Sequence, residues 1–139
     1  MFPTTAKILV VDDMKTMRKL VMKQLADLGF KNVVEADDGD TAWNAVQQAA
    51  QSGQGFDLII SDWNMPRVKG IDLLRKVRAN ASTKSVPFLM VTAEVEASSL
   101  KEASAPDARV SGFLNKPFRA EDLKTQLGNA FAARPKKAA

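Results

Sequence analysis

Five side chains suited to phosphoryl transfer occur where apolar stretches of the sequence end. They are Asp12, Asp13, Asp62, Thr92 and Lys116. Carboxylates that crowd together repel one another unless a cation compensates them or one takes up a proton. An all-oxygen ligand set with positions left for water and a phosphoryl oxygen suits Mg²⁺ better than zinc or copper. An aspartate nucleophile, a divalent metal, an ammonium group and a hydroxyl together would support formation of an aspartyl phosphate.

The stretch at 58–66, LIISDWNMP, is the centre of this hypothesis. Its apolar run ends at Asp62, and Pro66 stops regular structure four residues later. The pattern predicts a strand that gives way to a loop and presents a carboxylate at its end. The chain contains no cysteine and no histidine, so its chemistry must come from carboxylates, amides, hydroxyls and lysine.

Alternating patterns predict five strands and five helices around these side chains. Strands are predicted at 7–11, 32–36, 56–61, 86–91 and 110–114. Apolar residues at helical spacing predict helices at about 14–28, 41–52, 71–80, 96–105 and 123–131. Gly29 stands where the first helix needs a residue free to adopt a positive φ.

Five strand and helix alternations predict an α/β fold, a doubly wound parallel sheet with helices on both faces. In such sheets ligands bind outside the carboxyl ends of the strands. The first, third, fourth and fifth strands would bring all five candidate side chains to that edge. We expect the chain, 1–139, to be a single domain with a core of about 6–132 and short flexible termini.

Composition narrows the function classes. No apolar run is long enough for a membrane span, and the first residues lack the pattern of a signal peptide, so we expect a cytoplasmic protein without a membrane partner. The net charge of +4 comes from scattered basic residues, which is typical of solvated helix faces and does not favour nucleic acid. We also expect a monomer.

Five stretches in order resemble the receiver domain of two-component response regulators, and within that family the single-domain chemotaxis regulators. They are VVDDMKTMRKLV, GFKNVVEADDGDTAWNAV, LIISDWNMP, FLMVTAE and SGFLNKPF. The resemblance covers most of the chain and implies a flavodoxin-like sheet with strand order 2-1-3-4-5. It also implies signalling by protein binding in place of turnover of many substrates.

The resemblance assigns a role to each candidate residue. It implies that Asp62 is the phosphoacceptor and that Asp13, Asp62 and the backbone carbonyl of Asn64 are Mg²⁺ ligands, with Asp12 holding metal-bound water. Thr92 and Lys116 match residues that contact the phosphoryl oxygens. The Lys116–Pro117 peptide bond matches one that is cis in the family.

The resemblance also implies how the signal starts and stops. Asn64 and Glu94 match positions that tune loss of the phosphoryl group, and Phe113 matches an aromatic switch whose ring turns inward as the Thr92 hydroxyl moves. The phosphodonor would be a histidine kinase. A flagellar switch protein, and a phosphatase, would bind the face formed by the fourth helix, fifth strand and fifth helix.

Alternatives stay open at this stage. The protein could be a phosphate sink or a receiver without a motor target. A Mg²⁺-dependent phosphatase would want a second carboxylate where Asn64 stands, and a flavin-binding electron carrier would want a glycine-rich loop where the Asp12 and Asp13 pair stands. Taken singly, the Asp12 and Asp13 pair could cap a helix, Lys116 could be a surface charge, and Phe113 could be core packing.

Overall fold

A computed structural model describes residues 2–65, 67–93, 97–116 and 118–133. The described residues form five strands and five helices in strict alternation. The strands are β1 Ile8–Val11, β2 Val33–Ala36, β3 Leu58–Asp62, β4 Phe88–Thr92 and β5 Gly112–Asn115. The helices are α1 Lys15–Asp27, α2 Gly39–Gln51, α3 Gly70–Ala79, α4 Ala97–Ala103 and α5 Ala120–Ala133.

The five strands form one parallel sheet in the order β2-β1-β3-β4-β5, which confirms the predicted fold and strand order. Val11 pairs with Ser61 of β3, and Asp62 pairs with Val91 of β4. Thr92 pairs in turn with Asn115 of β5. This register brings the carboxyl ends of four strands to one edge of the sheet.

Side chains on the two faces of the sheet form two hydrophobic clusters among the described residues. Leu9 and Val11 of β1 face α2 and α3, whereas Ile8 and Val10 face α1 and α5. All four residues are buried, because successive strand residues point to opposite faces and helices cover both. The apolar run in the sequence of β1 therefore indicates a strand that helices cover on both faces.

Local sequence explains where several helices begin and end. The Asp38 carboxylate accepts a hydrogen bond of 2.8 Å from the backbone N–H of Thr41 and caps α2. Gly29 follows α1 with a φ of +98°, which confirms the predicted left-handed residue. No helix in the described part of the chain is both long and apolar enough to span a membrane.

The structure corrects several predicted boundaries and faces. Asp62 and Thr92 are the last residues of their strands, whereas the sequence pattern placed them after the strand ends. The fourth helix ends at Ala103, before its predicted end at 105, because the Ala103 carbonyl accepts from the N–H of Val110 at 2.8 Å, seven residues further on. Leu20, one of the apolar residues whose helical spacing predicts α1, is 41% exposed.

Candidate functional site

Backbone contacts on two sides hold Asp62 at the end of β3. The N–H of the next residue, Trp63, donates to the carbonyl of Val91 at 2.8 Å, and the Trp63 carbonyl accepts from the Gly70 N–H at 2.9 Å. A Cβ on Gly70 would collide with the carbonyl oxygen of Asp62 and lie 2.8 Å from the sulfur of Met90. A glycine is therefore required here for α3 to begin against the main chain of Asp62.

The Asp12 and Asp13 pair ends β1, and the two side chains differ in environment. The Asp12 side chain is buried, and its Oδ1 accepts from the backbone N–H of Met14 at 2.9 Å. Arg18 donates to the Asp12 carbonyl at 2.8 Å and to Glu35 at 2.9 Å, which ties α1 to the ends of β1 and β2. The Asp13 side chain is exposed and lies at the mouth of the site.

The three carboxylates meet at the edge of the sheet, as the strand order predicts. One oxygen from each of Asp12, Asp13 and Asp62 lies within 4.8 Å of the other two. The Lys116 ammonium lies 3.2 Å from both Asp12 Oδ2 and Asp62 Oδ1. Lys116 is thus not the isolated surface charge that the sequence left open, because it bridges two buried carboxylates.

The position of Asp62 perturbs its acidity. Burial raises the pKa of the Asp62 carboxyl above its ordinary value, and the negative charge of Asp12 raises it further. The positive charge and hydrogen bond of Lys116 lower this pKa and offset part of the rise. Since three carboxylates face one ammonium, the cluster keeps an excess of negative charge when all are ionised.

This excess charge fits a divalent cation. The donor set consists of carboxylate oxygens, and the exposed position of Asp13 leaves the cluster open to solvent. Hard cations such as Mg²⁺ prefer oxygen ligands and retain several waters. Asn64, whose backbone carbonyl was predicted as a ligand, is exposed and stands two residues after Asp62.

Thr92 ends the strand beside Asp62, and the Thr92 side chain is buried. The Thr92 carbonyl accepts from the Lys116 N–H at 2.7 Å, so the backbone fixes the hydroxyl-bearing and ammonium-bearing residues relative to each other. The structure therefore brings Thr92 to the same sheet edge as the three carboxylates. Glu94 and Pro117, which also carried predictions, lie outside the described residues.

An aromatic pair that sequence reasoning missed adjoins the site. Trp63 stacks on Phe113 with ring centroids 6.4 Å apart and ring planes 28° apart. Both rings are partly buried against the cluster that includes α2 and α3. The sequence signal for this pair is a tryptophan directly after Asp62. The residue beside the carboxylate therefore contacts the predicted switch residue.

A second contact that the sequence did not reveal holds the loop after β3. Arg67 of this loop adopts a φ of +65° and forms an ion pair of 2.8 Å with Asp38, the cap of α2. Gly39 gives the neighbouring Val68 room to pack, because a Cβ on Gly39 would lie 2.5 Å from Val68. The loop that carries Asn64 is therefore attached to the beginning of α2.

Comparison with known sequences and structures agrees with this geometry. The sequence model of the response regulator receiver domain matches residues 8–128. The chain is 46% identical to the chemotaxis protein CheY-3 of Vibrio cholerae over 90% of its own length and 91% of that protein. It is also 46% identical to the chemotaxis protein CheY of Pseudomonas aeruginosa, over 90% and 95% of the two chains.

Solved structures show the same fold. The chemotaxis response regulator CheY4 of Vibrio cholerae superposes with a TM-score of 0.81 at 36% sequence identity. The alignment covers 91% of this chain and 98% of that one. The sequence comparisons and the structural comparison thus indicate the same protein family.

Proposed function

Because the chain belongs to the family of response regulator receiver domains, we propose that Asp62 accepts a phosphoryl group from the histidine of a kinase. One observation carries the proposal: the buried Asp62 carboxylate lies within 4.8 Å of two other carboxylates and 3.2 Å from the Lys116 ammonium. A nucleophile, a cation site and a fixed positive charge thus occupy one sheet edge. The proposal extends to the whole chain, 1–139, as one cytoplasmic receiver domain with a core of about 6–132.

The proposed reaction moves a phosphoryl group from a nitrogen of the kinase histidine to an oxygen of Asp62. An Asp62 carboxylate oxygen would form a P–O bond while the P–N bond of the phosphohistidine breaks, and the released imidazole would take up a proton. Lys116 would attract the phosphoryl oxygens, and the Thr92 hydroxyl would donate to them. Ionised Asp62 is the nucleophile, so the ion pair with Lys116 keeps the reactive form accessible despite burial.

Three residues would hold Mg²⁺ directly in this proposal. Asp13 and Asp62 would contribute carboxylate oxygens and Asn64 its backbone carbonyl, while Asp12 would bind metal-coordinated water. The metal would supply charge neutralisation for the phosphoryl oxygens. Asp12 already accepts hydrogen bonds from Met14 and Lys116, which suits it to an outer role.

The phosphoryl group would act as a timed signal. Asn64 offers no carboxylate as a general acid or base two residues after Asp62, so we expect slow self-dephosphorylation and no turnover of other substrates. Asn64 and Glu94 would set the rate of phosphoryl loss. Partner binding would then carry the output, because Thr92 and Phe113 would shift a pre-existing equilibrium of the face formed by α4, β5 and α5.

Chemotaxis is the output that the relatives favour. Two relatives at 46% identity are named chemotaxis proteins. We propose that the phosphorylated protein binds a component of the flagellar switch, with a histidine kinase as phosphodonor and a phosphatase as a further partner of the same face.

Incubation with Mg²⁺ and a small phosphodonor, followed by intact mass measurement, tests the central claim. Wild-type protein should gain one phosphoryl group, and Asp62→Asn should gain none. Asp27→Asn removes an exposed carboxylate elsewhere and should behave as wild type. Equal labelling of Asp62→Asn and wild type would refute the assignment.

A pull-down tests the output separately. Wild-type protein loaded with a phosphoryl mimic should recover a flagellar switch component from lysate, and Asp62→Asn treated in the same way should not. Recovery of a histidine kinase alone would reject the motor role and indicate a phosphate sink.

A further inference from the structure

A basic cavity lies at the amino end of the sheet, at the opposite edge from Asp62. Its volume is about 250 Å³. The polar side chains that line it are Arg78, Lys84, Ser85, Arg109 and Ser111. No aspartate or glutamate lines this cavity within the described ranges, so its charge is wholly positive.

Arg78 lines the cavity, and its guanidinium is bound by backbone carbonyls. Its guanidinium donates to the carbonyls of Lys84, Val86, Ala108 and Arg109 at 2.5 to 3.3 Å. In the part of the chain that the structure describes, it forms no ion pair with a carboxylate. Burial lowers the pKa of Arg78 to about 10, and the nearby charge of Arg109 lowers it as well. A half-buried cation that is paired with no described carboxylate favours the approach of an anion.

Further donors surround the opening. Lys84 and Arg109 are exposed and form no ion pair with any described carboxylate. The neighbouring acids Glu102 and Asp107 pair instead with Arg75. The Ser111 hydroxyl oxygen accepts from the Phe88 N–H at 2.9 Å, so its own O–H is oriented by the sheet and can donate.

We propose that this cavity binds a phosphate group, presented either by the free ion or by a nucleotide. The guanidinium of Arg109, the ammonium of Lys84 and the hydroxyl of Ser111 around one opening match the oxygens of a phosphate dianion, while Arg78 adds a fixed positive charge beside them. Pro87, Val110 and Ala133 complete the lining and offer apolar contact to the remainder of a larger ligand. The volume lies just below that of typical small-molecule sites, which agrees with a ligand no larger than a mononucleotide.

This site is independent of the proposed phosphorylation. Asp62 stands at the carboxyl end of β3, whereas the cavity lies beside Pro87 and Ser111, which precede β4 and β5. The three carboxylates around Asp62 repel free anions when no metal is bound. Titration without Mg²⁺ therefore reports on the cavity alone, whatever the outcome for Asp62.

Titration of isotope-labelled full-length protein with inorganic phosphate, with adenosine monophosphate and with chloride at matched ionic strength tests the proposal. Amide NMR signals of 84–86, Phe88 and 109–112 should shift and saturate with phosphate, with a Kd in the millimolar range, of order 1–10 mM. Tighter binding of the nucleotide would identify a nucleotide as the source of the phosphate, and equal binding would identify the free ion. Shifts that chloride reproduces, or that never saturate, would overturn the proposal.

Charge variants make the test specific. Lys84→Gln and Arg109→Asn should each weaken phosphate binding by about fivefold or more. Asparagine tolerates the left-handed conformation of Arg109, whose φ is +49°. Lys19→Gln removes an exposed charge from α1 and should change the Kd by less than about twofold. Equal weakening by all three variants would show general charge attraction and reject a built site.

Discussion

Replacement of Asp62 by asparagine should stabilise the metal-free protein. The Asp62 side chain is 7% exposed and shares the sheet edge with two other carboxylates. Asparagine has nearly the same shape and can still accept a hydrogen bond from Lys116, but it carries no charge. The substitution therefore removes the buried negative charge of Asp62 and its repulsion from the other carboxylates, and it preserves the packing of the side chain.

The size of the effect follows from the distances. At an effective dielectric constant of about 20, attraction to the Lys116 ammonium at 3.2 Å is worth about 5 kcal/mol. Repulsion from Asp12 at no more than 4.8 Å is worth about 3.5 kcal/mol or more, and the exposed Asp13, within the same distance, adds a repulsion that solvent screens. These terms cancel to within about 2 kcal/mol, so the burial of the ion, which costs several kcal/mol, decides the sign. We expect Asp62→Asn to gain about 1–3 kcal/mol at neutral pH.

The stability difference between Asp62→Asn and wild type should depend on pH in a defined direction. A carboxyl whose pKa is higher in the folded than in the unfolded state binds its proton more tightly when folded. Its ionisation therefore lowers stability as pH rises from the ordinary value of 3.8 through the raised pKa of Asp62. The advantage of Asp62→Asn should be absent below that interval and complete above it.

Urea denaturation in a chelating buffer is the appropriate assay. At neutral pH the midpoint for Asp62→Asn should exceed that of wild type by about 1 M, given m-values of about 1–3 kcal/mol/M for small domains. Asp27→Asn controls for the loss of one negative charge and should shift stability by less than about 1 kcal/mol. Mg²⁺ at about 100 times its Kd should raise wild-type stability by about 2.7 kcal/mol and should narrow the gap.

Two results would refute this reasoning. Equal stability of wild type and Asp62→Asn at neutral pH would mean that Lys116 fully compensates the cluster. A stability difference that does not change between acid and neutral pH would mean that the amide acts through packing and not through charge.

Three further predictions concern other parts of the molecule. Gly70→Ala should destabilise the fold by about 1–3 kcal/mol in denaturant titration, because its Cβ would strike the Asp62 carbonyl. The control Gly128→Ala, whose Cβ meets nothing within 4 Å, should stabilise the fold by about 0.5–1 kcal/mol. Equal effects of the two substitutions would contradict the close contact between residue 70 and the Asp62 carbonyl. Arg78→Met should cost about 2–3 kcal/mol by leaving backbone carbonyls unpaired, whereas Arg75→Met removes only surface ion pairs and should cost less than about 1 kcal/mol. At limiting Mg²⁺ the rate of labelling by a small phosphodonor should fall as pH drops through the raised pKa of Asp62, since the protonated carboxyl is not a nucleophile. Saturating Mg²⁺ favours the ionised carboxylate and should move this fall to lower pH, and a fall at the same pH at both concentrations would count against Asp62 as a metal ligand.

The fold could be predicted from the sequence because the buried strands are recognisable as apolar runs. β1, β3 and β4 are buried along their whole length, and each contains a continuous run of three or four apolar residues. Asp12, Asp62 and Lys116 were predicted to meet, and they do, because strands of a parallel sheet share one carboxyl edge. The roles assigned to these residues in phosphorylation stay predictions.

Contacts between distant segments could not be inferred from patterns. The stacking of Trp63 on Phe113 and the carbonyl contacts of Arg78 depend on loops whose paths no local periodicity encodes. Helical spacing likewise identified α1 from apolar residues that include Leu20, yet Leu20 is exposed, because spacing alone does not fix how wide a stripe of the helix the sheet covers. Tertiary packing decided each of these outcomes.

The absence of a side chain at Gly70 restricts how far the main chain at Asp62 can move when the charge on that residue changes. The beginning of α3 rests directly on the Asp62 carbonyl, and the Trp63 N–H is bound to β4, so the main chain at this point acts as a fixed pivot. If Asp62 is phosphorylated as proposed, the resulting movement would travel through side chains that can rotate, toward Trp63, Phe113 and β5. The glycine on one flank of the site would then give the proposed signal a direction.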